Sequence, residues 1–213
     1  MSLFQNPVQI IIQRRVSPNG KITVSYPVII GMMNQQVQQI LNYRITALIN
    51  NLVNSQINEY LQSGYTIDDI TADVFTEIKN NQRGILSIAV HAYFFPYPAA
   101  HGITIIHSAT YDTNTGRQYM LSELFKPGSD YVKVLSDKIG EQIKQREIPL
   151  INEYKGIKPE QYFYIADKTI VIYFQLYDLT PYVYGFPMFP ISLYDIQELI
   201  PEDGILSSLI INQ

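Results

Sequence analysis

The hydrophobic period of this chain changes twice, and that change limits the folds open to it. Val8 to Val16 and Lys21 to Tyr26 are apolar, β-branched stretches separated by Ser17-Pro18-Asn19-Gly20, whose Pro and Asn-Gly pair favour a tight reversal. They read as an opening hairpin. After Pro27 the spacing lengthens: Val37, Ile40, Leu41, Ile45, Leu48, Ile49, Leu52, Val53, Ile57, Tyr60 and Leu61 recur every three or four residues. This spacing predicts one long amphipathic helix from about Asn34 to Leu61, stopped by Ser63-Gly64. Its polar face is mostly Asn and Gln, uncharged and suited to packing against a partner.

From Ile70 to Asp112 the period returns to two. A turn at Asn80 to Gly84 separates one strand from Ile85 to Phe95, and Ile103 to Tyr111 follows as a third. Asn114-Thr115-Gly116 makes the next turn, Gln118 to Leu121 a short strand, and Ser122 to Phe125 a helical turn. Ser129 and Asp130 precede a second helix, Tyr131 to Arg146, with Val132, Leu135, Ile139 and Ile143 on one face. Tyr162 to Ala166 and Thr169 to Leu176 read as a closing hairpin, with Ile170, Ile172 and Phe174 facing one way and Val171, Tyr173 and Gln175 the other. Asp178 to Pro190 is too irregular for helix or strand, and Ser192 to Ile200 reads as a short helix.

Strands and helices are segregated, which predicts an α+β fold. Its sheet is mainly antiparallel, built from the meander plus the closing hairpin, and packed with one long N-terminal helix and one or two shorter helices. Residues 1–213 are expected to form a single compact unit, with 1–62 a hairpin-and-helix subdomain and 63–213 the remainder. A chain this long can bury roughly 70% of its unfolded surface, so its folding needs no staple. Zero Cys leaves no thiolate metal site or thiol nucleophile. The formal charge of -4, with Lys and Arg scattered apart from the pair Arg14-Arg15, argues against nucleic acid. No apolar run approaches the ~20 residues of a membrane span. Met1 to Asn6 lacks a basic n-region, which favours a cytoplasmic location.

Little in the sequence points to catalysis. His91, His101 and His107 fall in one meander without the regular spacing of a metal site, so no cofactor or metal is expected. There is no nucleophile elbow and no phosphate loop. Aromatic content is the distinctive feature, with Tyr 17, Phe 9 and Trp none. The irregular segment carrying Tyr182, Tyr184, Gly185 and Phe186 is expected at the surface, because loops seldom bury their own backbone polar groups.

Four motifs carry a resemblance. They are Ala99-Ala100-His101-Gly102 before a strand, Tyr111-Asp112-x-x-Thr115-Gly116, Leu121-Ser122-Glu123-Leu124-Phe125, and Tyr177-Asp178-Leu179-Thr180-Pro181-Tyr182-x-x-Gly185-Phe186-Pro187. In this order, across about residues 70–200, they resemble the C-terminal domain family of the anti-sigma factor RsiV, which also occurs beside peptidoglycan deacetylase domains. The long helix and opening strands look like the N-terminal segment that accompanies it. In RsiV this region is extracellular and recognises lysozyme. The sequence shows neither the sigma-binding segment nor the membrane helix of RsiV-type proteins, so the resemblance implies the fold and a binding role, without catalytic residues.

The expectation is a non-catalytic binding domain that recognises a protein, muramidase-like by resemblance, or a cell-wall glycan. Its candidate binding residues are His101, Gly102, Tyr182, Tyr184, Gly185 and Phe186. One alternative is a hydrolase of cell-wall glycan or peptide with His101 as general base, oriented by Asp178 or Asp112. Another is a homo-oligomer held by the Asn/Gln face of the helix.

Overall fold

The computed structural model describes residues 7–210. Strands β1 (Gln9–Val16) and β2 (Ile22–Ile30) form the opening hairpin and lead into helix α1 (Gln35–Gln62). The Asn34 side chain caps α1 by accepting from the amides of Gln36 and Val37, and Ser63 closes its other end. Strands β3 (Ile70–Gln82), β4 (Ile85–Pro96) and β5 (Ile103–Asp112) make the meander, and β6 (Gln118–Tyr119) pairs only with the end of β5. Helix α2 (Tyr131–Gln145) precedes β7 (Phe163–Ala166), β8 (Thr169–Tyr173) and β9 (Met188–Ser192), and a short α3 (Ser207–Ile210) ends the described chain.

The strands make two sheets, one ordered β1-β2-β3-β4-β5-β6 and one ordered β7-β8-β9. All pairs are antiparallel except β2 with β3, where Ile22 lies opposite Ala72 and Val24 opposite Val74. A parallel pair needs a long crossover, and α1 provides it. The helix lies on one face of the large sheet, burying Leu41, Ile45, Ile49 and Leu52 against Val74, Leu86, Ile88 and Val90. The small sheet covers part of the opposite face, where Ala89 and Ile106 meet Tyr164, Val171 and Tyr173. Its outer face packs Ile165, Ile170, Ile172 and Ile191 against Leu135, Ile139 and Ile143 of α2. The order of layers is therefore helix, large sheet, small sheet, helix.

Two expectations about the sheet are corrected. The closing hairpin does not extend the meander. Both of its faces are apolar, so it needs cover on both sides and becomes an inner layer, whereas the edge of a half-exposed sheet would leave one face in water. Its third partner, Met188–Ser192, was hidden in the stretch that reads as irregular because Pro190 breaks the pattern. At an edge strand the missing Pro190 amide forfeits nothing, and its carbonyl accepts from Gln142 Nε2 at 2.9 Å. On α1, Ile40 and Leu61 are exposed although they fit the apolar spacing. Ile40 instead abuts the turn at Gly116, whose φ of 74° is left-handed and where an added Cβ would lie 2.7 Å from the Ile40 Cγ2. Asp130 occupies the N-cap position of α2 without a side-chain capping bond.

Carboxamide side chains close several open backbone positions. Asn42 accepts from the Ile29 amide and donates to its carbonyl, both at 2.8 Å. Asn81 does the same for Val8, and Gln175 for Ile106 on the exposed side of β5. Each amide mimics a strand partner, so backbone groups that a neighbouring strand would satisfy are satisfied by one residue.

Leu52→Ala is expected to cost about 2–5 kcal/mol by opening a cavity under α1, with half-buried Leu48→Ala losing less. Ser87→Ala is expected to cost about 1–3 kcal/mol, because it strands the buried Ile165 amide and the Thr110 hydroxyl that meet at Ser87 Oγ. Urea denaturation midpoints check both, and unchanged midpoints contradict the placement of these side chains.

Candidate functional site

The turn after β4 and the loop after β8 come together at one end of the molecule. His101 and Tyr182 lie with their ring centroids 5.3 Å apart, and Tyr177 sits 5.6 Å from Tyr182. The Tyr182 hydroxyl donates to the Gly102 carbonyl at 3.4 Å, joining two motifs 80 residues apart in sequence. His101 Nδ1 faces the same carbonyl at 3.0 Å. The contact of His101 with the loop is therefore through its ring, while the hydrogen bond to that turn comes from Tyr182.

Gly102 is needed for close approach and not for a left-handed backbone, since its φ is not positive. A Cβ there would fall on the ring end of Tyr93, which stands on the face of β4 opposite α1. Tyr93, His101, Tyr177 and Tyr182 thus form one patch from three segments, and Val183, 93% exposed, projects beside it. The loop is held by Pro181 and by Gly185, whose φ is 79° and whose carbonyl accepts from Thr180 Oγ1 at 3.4 Å.

The other two sequence candidates turn inward. Tyr184 packs against the core beneath α2, and its hydroxyl accepts from Arg146 at 3.4 Å. Phe186 packs between the sheets with Ala89, Tyr164 and Tyr173. They position the loop that presents Tyr182. Sequence reasoning missed Tyr93, because a strand tyrosine reads as core until the small sheet is known to stop short of it, and the only signal was Gly102 itself.

The proposed orienting carboxylates lie elsewhere. Asp178 Oδ2 accepts from the Gln175 amide at 3.0 Å, and Asp112 accepts from the Asn114 amide at 2.7 Å and from Thr115 Oγ1 at 2.9 Å. Neither hydrogen-bonds His101. The other two histidines face opposite sides of the large sheet: His107 pairs with Val90 toward α1, while His91 lies on the face away from α1 and is largely buried. His91 stacks on Phe75 with centroids 4.9 Å apart, and its Nε2 lies 2.9 Å from Glu77, which also pairs with Lys79. Among the described residues no three His, Cys, Asp or Glu side chains are grouped to hold a metal ion.

Comparisons with known proteins divide the chain in two. Residues 122–194 match DUF3298, a family of proteins of unknown function, and residues 16–104 match the family Deacetylase PdaC. A DUF3298 family member from Bacteroides fragilis NCTC 9343 has a similar crystal structure, with TM-score 0.67 and 13% sequence identity over 97% of this chain and 96% of that one. A DUF3298 family protein from Pseudomonas aeruginosa PAO1 matches with TM-score 0.63 and 12% identity over 94% and 95%. At these identities the likeness is one of fold. No curated protein matches the sequence significantly.

Gly102→Ala is expected to cost only about 1 kcal/mol, because the clash falls on the far end of one flexible side chain, but to rotate Tyr93 out of the patch. Ring resonances of Tyr93 and Tyr182 that stay at their wild-type shifts in this variant contradict the close approach.

A pH dependence follows from the two sheet histidines. Burial pushes His91 below its ordinary value despite the opposing pull of Glu77, and burial alone lowers His107. With folded pKa values below the unfolded one, the unfolded chain takes up protons first as pH falls below ~6.5. Stability is thus full at neutral pH and declines on acidification until the folded values are passed. Glu77 acts in the same direction at lower pH, its carboxyl held down chiefly by Lys79. Urea midpoints are expected to fall between pH 7 and 5, with His107→Gln flattening that slope; an unchanged slope contradicts the burial of His107.

Proposed function

We propose that this domain is a non-catalytic recognition module, and that a protein partner docks on the exposed aromatic patch around Tyr182. The observation that carries this reading is the convergence of Tyr93, His101, Tyr177 and Tyr182 at the surface from three separate segments. Tyrosine offers a large apolar face with a polar tip and few rotatable bonds, so a surface of fixed tyrosines loses little entropy on binding. Pro181 and Pro187 restrict the loop further.

The resemblance to the RsiV extracellular region supplies the class of partner, a muramidase-like protein. The chain's charge of -4 favours encounter with such a basic partner, an effect that weakens as salt rises. The match of residues 16–104 to Deacetylase PdaC favours a second reading, hydrolysis of a wall glycan or peptide at His101. Recognition is preferred because His101 Nδ1 faces a backbone carbonyl and both candidate carboxylates are hydrogen-bonded within their own turns.

Calorimetry with lysozyme at low and moderate salt tests this reading. The expected result is a binding heat that weakens with salt and is reduced at least about tenfold in affinity by Tyr182→Ala, as for loss of a central aromatic contact. No heat at tens of micromolar in either buffer, or binding indifferent to Tyr182→Ala, overturns it. Acetyl release from a chito-oligosaccharide, lost in His101→Ala, supports the hydrolase instead.

A further inference from the structure

A concavity lies away from the aromatic patch, between the C-terminal half of α1 and the unpaired edge of β5. Its cause is topological. The short β6 pairs only with Thr110 and Tyr111, so Ile105 and His107 have no neighbouring strand beyond them, while α1 continues along that face of the sheet and borders the gap. The cavity is about 410 Å³, within the range that holds small organic ligands.

Two helical turns and one strand face contribute its walls. Leu48 and Leu52 from α1 and Ile105 from β5 form an apolar floor. Asn51, Ser55, Gln56 and His107 stand around it. Positions 48, 51, 52 and 55 follow the three-to-four spacing of one helix face, and 105 and 107 the alternation of one strand face. The side chains of Asn51, Ser55 and His107 have no hydrogen-bond partner among the described residues, in contrast to Asn42, Asn50 and Gln175, which the fold uses. Tyr162 stands next to His107, the ring centroids 5.5 Å apart, and is 37% exposed.

The chemistry of this lining selects a class of ligand. None of the lining residues is an acid, a lysine or an arginine, so neither a phosphate nor an ammonium group gains a partner. Amide, hydroxyl and neutral imidazole together offer both donors and acceptors. A sugar hydroxyl needs both, and the C–H face of a sugar ring suits an apolar floor beside an aromatic ring. We propose that the groove between α1 and β5 binds a neutral saccharide, with Asn51, Ser55 and His107 meeting its hydroxyls and Leu48, Leu52 and Ile105 its apolar face. This site is independent of the Tyr182 patch.

Saturation-transfer NMR of the full chain with maltose, cellobiose, lactose and chitobiose at millimolar concentration tests the proposal. At least one disaccharide should receive transfer and should shift the ring resonances of His107. Ser55→Leu, a substitution at an exposed helix position that fills the groove, should weaken binding about tenfold or more, while Tyr182→Ala should leave it unchanged. Equal affinity for the disaccharide and its longer oligomer marks a free sugar, and a gain with length marks a glycan chain; both support the site. No transfer from any of the four sugars overturns the proposal, as does transfer that leaves the His107 ring unmoved. The wild-type His107 shift decides the matter even where Ser55→Leu fails to fold.

Discussion

Everything else in the molecule is arranged around a strand buried on both faces. From Ile85 to Val90 the side chains of β4 are without solvent contact, those on one face under α1 and those on the other under the small sheet. A strand covered on both sides cannot alternate apolar with polar, and Ile85-Leu86-Ser87-Ile88-Ala89-Val90 does not. Its one polar side chain, Ser87, spans the interface between the sheets, bonding the Thr110 hydroxyl beside it and the Ile165 amide opposite. Inside a dry interface an unmade hydrogen bond costs more than a made one returns, so this contact fixes the registration of the small sheet on the large one. With that registration set, the hairpin strands bring Tyr173 and Gln175 against Ile106, and the loop that follows is directed toward the His101 turn.

The periodic part of this architecture was legible in the sequence. Long α1, the meander, α2 and the two-faced closing hairpin each repeat at their own spacing over enough residues to be read, and Ile170, Ile172 and Phe174 do face one core while Val171 and Tyr173 face another. Less legible was which layer each element joins. Pro190 disguises β9, and the parallel pairing of β2 with β3 has no local signature because it depends on where α1 delivers the chain. The candidate site was legible to the same degree. His101, Gly102 and Tyr182 could be picked out one by one, but that they meet, that Tyr93 joins them and that Tyr184 and Phe186 turn away are facts of tertiary packing. Ile40 shows the opposite failure, an apolar residue at a core spacing that the helix leaves in view of solvent.

The two surfaces singled out have different physical characters. Around Tyr182 the groups are large, convergent and mutually supported, with ring contacts and one inter-loop hydrogen bond holding them in place. Between α1 and β5 the side chains of Asn51, Ser55 and His107 keep hydrogen-bonding capacity that the fold does not use. The first suits a broad partner that exploits area, the second a compact ligand that exploits directional bonds.

The parallel pairing of β2 with β3 also governs how the chain can assemble. Ile22 pairs with Ala72 across the long connection that α1 makes. The helix, in turn, has no complete surface to lie on until β3 and β4 supply Val74, Leu86, Ile88 and Val90. A lone two-stranded hairpin is marginal in water, and closing a long loop must precede the contacts that reward it. Residues 9–62 alone would leave a hairpin edge open and an apolar helix face uncovered, and the meander supplies the missing cover for both. Folding of this kind is governed by non-local contacts, with a rate set by topology more than by the helical propensity of its longest element.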